Sequence, residues 1–183
     1  VAIEDLLGRP QAALDLAAMK SLVNGKRVAI TGAGGTIGSE LCRQIAPFEP
    51  ASLTLIDNAE YNLYAIDQEL ADTYAAVPRV PYMGDVRDRG RIDSAFAKER
   101  PEVVFHAAAL KHVPMVEANP NEGVLTNVIG TRNVADACVA FDVATMVLIS
   151  TDKAVNPTNV MGATKRIAES YCQALGVAQV AAG

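Results

Sequence analysis

Short apolar runs closed by glycine or acidic residues alternate along this chain with longer stretches whose apolar positions recur at helical spacing. The runs "KRVAIT" (26–31), "SLTLID" (52–57), "RVPYMGD" (79–85), "EVVFHAAA" (102–109) and "ATMVLIS" (144–150) predict five strands. Most of them lack a polar face, as strands covered on both sides do. Between them, 61–75, 89–99 and 122–141 predict helices, as does 161–175 near the end. After the first strand, Ile37, Leu41 and Ile45 recur at i, i+4 and i+8, the stripe of a helix laid on a sheet. This alternation places the chain in the α/β class: a doubly wound parallel sheet, the Rossmann arrangement, in three αβα layers.

The two ends read differently. Residues 1–25 form an N-terminal lead in which "LDLAAMKSLV" (14–23) is a short helix stopped by Asn24-Gly25. Residues 26–183 form the domain proper. The closing "GVAQVAAG" (176–183) could begin one more strand, with nothing after it to build a second domain.

Composition narrows the setting. Half of the 183 residues are hydrophobic and 20% are charged, as in a globular chain and unlike a disordered one. The net charge of −5, with no Lys/Arg cluster, argues against nucleic acid or a membrane surface as partner. No apolar run approaches the roughly 18–20 residues of a membrane span, and the acidic "VAIEDLLGRP" start is no signal peptide. Cys42, Cys138 and Cys172 are far apart and odd in number, which suits reduced, buried thiols in the cytoplasm. His106 and His112 lack ligand spacing, so no metal site is expected.

Candidate chemistry begins at "TGAGGTIGSE" (31–40), where Gly32, Gly35 and Gly38 follow a strand and open a helix. A tight turn, close approach of a pyrophosphate and a helix N-terminus with free N–H groups all favour glycine there. Thr36 and Ile37 belong to the same candidate loop. Asp57 ends the second strand, where a carboxylate can accept both hydroxyls of a ribose. No Arg or Lys is adjacent to it, which favours NAD over NADP. Asp85 and Val86, after the third strand, are either contacts to the adenine edge or a strand-end cap. Ala107, Ala108 and Ala109 leave room for a cofactor or simply pack closely. Asn127, polar on an apolar helix, binds backbone, water or the cofactor region.

A second group follows the fifth strand. "STDKAVNPTNVMGATKR" (150–166) offers Thr151, Asp152 and Lys153 from a loop, then Met161 and Lys165 from one helix face. A short-chain reductase carries Tyr where Met161 stands, and a thioether is no proton donor.

Together, "IEDLLGR", "TGAGGTIGSELCRQI", "HAAALKHVPMVE", "NVIGTRNV" and "STDKAVNPTNVMGATKR" closely resemble the CapD-like polysaccharide-biosynthesis family. Its members are extended short-chain dehydrogenases acting as UDP-N-acetylglucosamine 4,6-dehydratases. Met161 is similar to the large, membrane-anchored branch, which retains the C-5 configuration. The resemblance implies an internal redox reaction with bound NAD, in which water leaves across C-5 and C-6 of the sugar. It implies that Thr151 orients the sugar, Asp152 protonates the departing 6-hydroxyl and Lys153 takes the C-5 proton. Lys165 would hold the nicotinamide ribose, and Lys111 and His112 in "LKHVP" would meet the substrate. Because Asp normally ionises near pH 4, Asp152 is expected to begin as carboxylate and take the 4-hydroxyl proton before acting as acid. Desolvation under the bound substrate and repulsion from Lys165 are expected to lower the Lys153 pKa.

The large enzymes carry membrane helices before "IEDLLGR" and a sugar-nucleotide subdomain after a sixth strand. Residues 26–183 are therefore expected to be an NAD-binding domain truncated at its C-terminus, with the substrate subdomain absent. It would bind NAD with little turnover, make no membrane contact itself, and lie on the cytoplasmic side of an anchored, homo-oligomeric protein. A 4-epimerase and a non-catalytic dinucleotide-binding module are the rival readings.

Overall fold

The computed structural model describes residues 15–182, so "IEDLLGR" and the first part of the lead lie outside the described residues. Helix α1 (Leu16–Val23) opens on Asp15, whose side chain accepts the Ala18 amide at 2.9 Å. The strands are β1 (Arg27–Thr31), β2 (Ser52–Asp57), β3 (Arg79–Met83), β4 (Val103–His106) and β5 (Thr145–Leu148). All are parallel, in the order β3-β2-β1-β4-β5. Chain direction across the sheet reverses between β1 and β4, and open sheets of this kind bind ligands in the crevice formed there.

Alternation along the strands builds two cores. Val28, Ile30, Leu53, Leu55, Val103 and Phe105 face one side, against Cys42 and Ile45 of α2 (Thr36–Ile45) and Leu63, Ile66 and Leu70 of α3 (Glu60–Thr73). Ala29, Ile56 and Val104 face the other, against α4 (Arg89–Glu99) and, further along the chain, α7 (Thr131–Ala140). Each fully buried Leu or Ile contributes roughly 1.5–3 kcal/mol, so the two layers hold the strand ends rigid. β5 is only half-buried along its length.

Three expectations change. The fully buried stripe of α2 is Gly38, Cys42 and Ile45; Leu41 packs partly buried against the same core, but Ile37 is 47% exposed. Glycine carries no hydropathy signal, so its close approach to the sheet was invisible to periodicity. The stretch 122–141 is not one regular helix. It comprises α6 (Pro120–Gly123), a π-helical stretch Val124–Gly130 and α7, preceded by the short α5 (Val113–Ala118). Finally, the last helix, α8, runs Val160–Ala182, so 176–182 is helical rather than the start of a strand.

Candidate active site

Two clefts meet at the carboxyl ends of the strands. The first, of about 370 Å³, runs past the ends of β1, β2 and β3. The second, of about 440 Å³, runs from the glycine loop to the end of β5 and to α8. They share Gly35, Ala107, Ala109 and Leu110.

The glycine loop is built by contact. Gly32 has φ +68°, and a Cβ there would lie 2.6 Å from the Ala108 amide nitrogen. A Cβ on Gly38 would lie 1.9 Å from the Gly32 carbonyl oxygen, so α2 starts hard against the turn. Gly34, which the sequence pattern did not single out, is equally constrained: a Cβ would meet Asn62 Cβ at 2.6 Å. Gly35 is the N-cap of α2 and, with Thr36 and Ile37, lines the second cleft. The first turn of α2 thus offers unpaired amides where the clefts join, the setting in which helices take phosphate.

Asp57 is buried in the wall of the first cleft. One carboxylate oxygen accepts the Gly34 amide at 2.8 Å and the other the Ala59 amide at 2.9 Å. Those two bonds fix its orientation and leave lone pairs on each oxygen for further donors. Asp85 takes the capping role and also lines the first cleft. Its Oδ1 accepts the Arg87 amide at 2.9 Å as a turn cap, while the residue lines the cleft with Val86. Burial opposes its ionisation, but hydrogen bonds from the Arg87 guanidinium, the Arg87 amide and Asn58 outweigh that and hold its pKa below the usual carboxylate value. Asn58, Arg87, Glu122 and Thr126 also line this cleft and were not anticipated.

Under the junction lies a buried polar chain. Asn127 accepts the Leu110 amide at 2.8 Å and donates to the Leu110 carbonyl at 2.9 Å and to Thr164 Oγ1 at 2.9 Å. It therefore positions the loop after β4 through backbone contacts, and it is not among the residues lining either cleft. Thr131 Oγ1 donates to the Asn127 carbonyl at 2.6 Å, so it accepts from His106 Nε2 at 3.0 Å. His106 Nδ1 must then accept from Thr31 Oγ1 at 2.6 Å. The imidazole is neutral: burial, then the charge of Lys165, pushes its pKa down to about 3.

In the second cleft, Met161 and Lys165 project from one face of α8, and both are buried. Lys165 Nζ donates to the Ile149 carbonyl at 2.6 Å, and burial lowers its pKa. Ser150, Thr151 and Lys153 line the cleft opposite, with Asp152 between them and its side chain 89% exposed. Thr151 Oγ1 donates to Asp152 Oδ1 at 2.9 Å, and Lys153 Nζ lies 3.6 Å from the same oxygen. The Thr151 hydrogen bond, then the Lys153 charge, hold the Asp152 pKa below the usual carboxylate value. Lys153 is half exposed. The loop is seated by Gly162, where a Cβ would lie 2.2 Å from the Lys153 carbonyl oxygen. Lys111 lines the same cleft. His112 does not; it lines a neighbouring groove of about 340 Å³ with Met115 and Val116.

Residues 28–182 match the family described as polysaccharide biosynthesis protein. The chain belongs to that family. It is 48% identical over 176 residues to the capsular polysaccharide biosynthesis protein CapD of Staphylococcus aureus, covering 96% of this chain and 29% of that protein. It is 37% identical over 145 residues to an inverting UDP-N-acetylglucosamine 4,6-dehydratase of Campylobacter jejuni, covering 79% and 42%. Among solved structures, Pen from Bacillus thuringiensis superposes with a TM-score of 0.77 at 37% identity, covering 84% of this chain and 47% of that one. WbmG of Bordetella bronchiseptica, solved with NAD and UDP, superposes with a TM-score of 0.66 at 26% identity, covering 82% and 50%. The chain thus spans less than half the length of these two curated relatives. Among the described residues, no helix is long and apolar enough to cross a membrane, and no three His, Cys, Asp or Glu side chains gather as a metal group.

Proposed function

We propose that this chain is the NAD-binding domain of a nucleotide-sugar 4,6-dehydratase acting on UDP-N-acetylglucosamine or a close relative. The observation that carries the reading is the hydrogen-bonded Thr151-Asp152-Lys153 loop facing Met161 and Lys165 across the second cleft. A reductase needs one proton donor beside its cofactor, whereas dehydration needs an acid and a base, and this loop carries both types of group.

The cofactor fits the residues present. The first cleft, with Asp57, takes the adenosine half; the α2 N-terminus takes the pyrophosphate; the second cleft, with Lys165, takes the nicotinamide half. When bound, NAD supplies hydride transfer. This chain's residues handle the protons. Asp152, held as carboxylate by Thr151 and Lys153, takes the proton of the 4-hydroxyl as C-4 becomes a ketone. That ketone acidifies the C-5 hydrogen, and Lys153 removes it from its neutral form, which requires the bound sugar to displace water from the half-exposed amine. Asp152 returns its proton to the departing 6-hydroxyl, which leaves as water. Lys153 then gives its proton back to C-5. Met161, buried and apolar, has no part in these transfers.

Residues 26–183 are the cofactor domain in this reading, and sequence beyond them completes the sugar-nucleotide site. Purified full-length protein incubated with UDP-N-acetylglucosamine and analysed by mass spectrometry tests it. Loss of the mass of one water is expected. An unchanged mass with inverted C-4 makes the protein an epimerase, and an unchanged sugar makes it a binding module.

A further inference from the structure

Arg87 lies in the first cleft with no task in the reading above. It follows Asp85 and Val86 on the loop after β3, and its guanidinium bridges two walls. Nε and Nη2 donate to Asp85 Oδ2 at 2.8 and 2.6 Å. Nη1 donates to Glu122 Oε2 at 2.8 Å, and Glu122 stands on α6, 35 residues along the chain. Both Arg87 and Glu122 line the cleft.

The root of this arm is fixed. Buried Asn133, on α7, donates to the Val86 carbonyl at 2.9 Å and to the Arg87 carbonyl at 3.1 Å. A Cβ on Gly130 would lie 2.6 Å from Val86 Cγ2, so Val86 is pressed against the helix. The outer end is different: the Arg87 and Glu122 side chains are 38% and 51% exposed. An ion pair that open adds little to folding. It can break and reform, and when formed it joins the β3 loop to α6 across the cleft. A guanidinium is planar, weakly hydrated and stacks readily on flat rings.

We propose that Arg87 is a cofactor-binding residue that covers the adenine ring while paired to Glu122, and that this pair must open for the dinucleotide to leave. The proposal rests on the NAD reading of the site. It makes the rate of release, rather than the stability of the fold, the quantity the pair controls.

The test is stopped-flow release of NADH from the purified chain, chased with excess NAD and read by nicotinamide fluorescence. Glu122→Gln keeps the Asp85 leg intact and is expected to speed release about three- to tenfold. Arg87→Met is expected to speed it about ten- to thirtyfold, with Arg87→Lys between them. Added salt should accelerate release from the native chain and have little effect on Glu122→Gln. ADP-ribose, which has the adenine and no nicotinamide, should weaken in Glu122→Gln by the same factor as NADH, at an unchanged melting temperature. NADH release within twofold of native in both Glu122→Gln and Arg87→Met overturns the proposal. So does faster NADH release with unchanged ADP-ribose affinity. If the native chain binds no NADH, the dinucleotide reading itself falls, and the clamp with it.

Discussion

In the first cleft, the contacts around Asp57 and the glycine turn end on main chain. Asp57 is pinned by two amides, Gly32 and Gly38 press on peptide atoms, and the 86–87 peptides are tied down by Asn133. In the second cleft, Thr151, Asp152 and Lys153 hold one another, at the rim and partly in water. Binding an invariant ligand wants atoms that cannot move. Passing protons wants groups whose partners can be exchanged for a substrate, and side chains in contact with each other provide that.

Five variants can break or sharpen this contrast. Gly38→Ala should have the largest effect, because its Cβ would stand 1.9 Å from a carbonyl that has no room to yield. NAD affinity, read by fluorescence titration, should fall about 100-fold. Gly162→Ala makes a similar clash with the Lys153 carbonyl, yet should leave NAD affinity within about threefold. Equal losses in the two variants would erase the division.

His106 belongs to the rigid side, and its removal should show in stability. Its folded pKa of about 3 lies below the ordinary imidazole value of 6.5, so the unfolded chain binds a proton that the fold refuses. The stability this contributes is present above pH 6.5 and is lost as pH falls toward 3, by up to roughly 1.4 kcal/mol per pH unit. Urea unfolding of His106→Gln should show a cost of about 1–3 kcal/mol at neutral pH and a flatter profile between pH 6.5 and 4. A variant as acid-sensitive as the native chain would locate the titration elsewhere.

Lys165→Met removes a buried donor facing the second cleft and should weaken NAD about tenfold by calorimetry. Asp152→Asn should change NAD affinity least, by under about twofold, because its side chain is open to water. In full-length protein, single-turnover kinetics should then show both NADH formation and C-5 exchange suppressed. NADH formation at the native rate with elimination stopped would leave Asp152 as acid only.

Much of this architecture is legible in the sequence because it is carried by side-chain chemistry. Five apolar runs mark β1 to β5, and glycines after β1 with an acid at the end of β2 mark the first cleft. What escaped lies in contacts that no side-chain pattern records. Ile37 was read into a stripe whose true member is Gly38, a residue with nothing to score. Gly34 and Gly162 matter for the Cβ they lack. Val177 and Val180 suggested a strand, but the backbone continues α8 with both side chains exposed. Arg87 carries no signal of its own, because its partner Glu122 lies 35 residues away.

The π-helical stretch Val124–Gly130 bears on how this chain tolerates insertion and deletion. Such a stretch holds wider turns than the helices around it, and here the Thr131 hydroxyl occupies the Asn127 carbonyl. Deleting Val128, Ile129 or Gly130 would look harmless, merely tidying an irregular helix. It would instead swing Asn127 and Thr131 apart by about 100° about the axis. Asn127 or Thr131 would then lose its partner, and with it the support of Leu110 or His106. Length, more than identity, is the property of this segment that selection has most reason to guard.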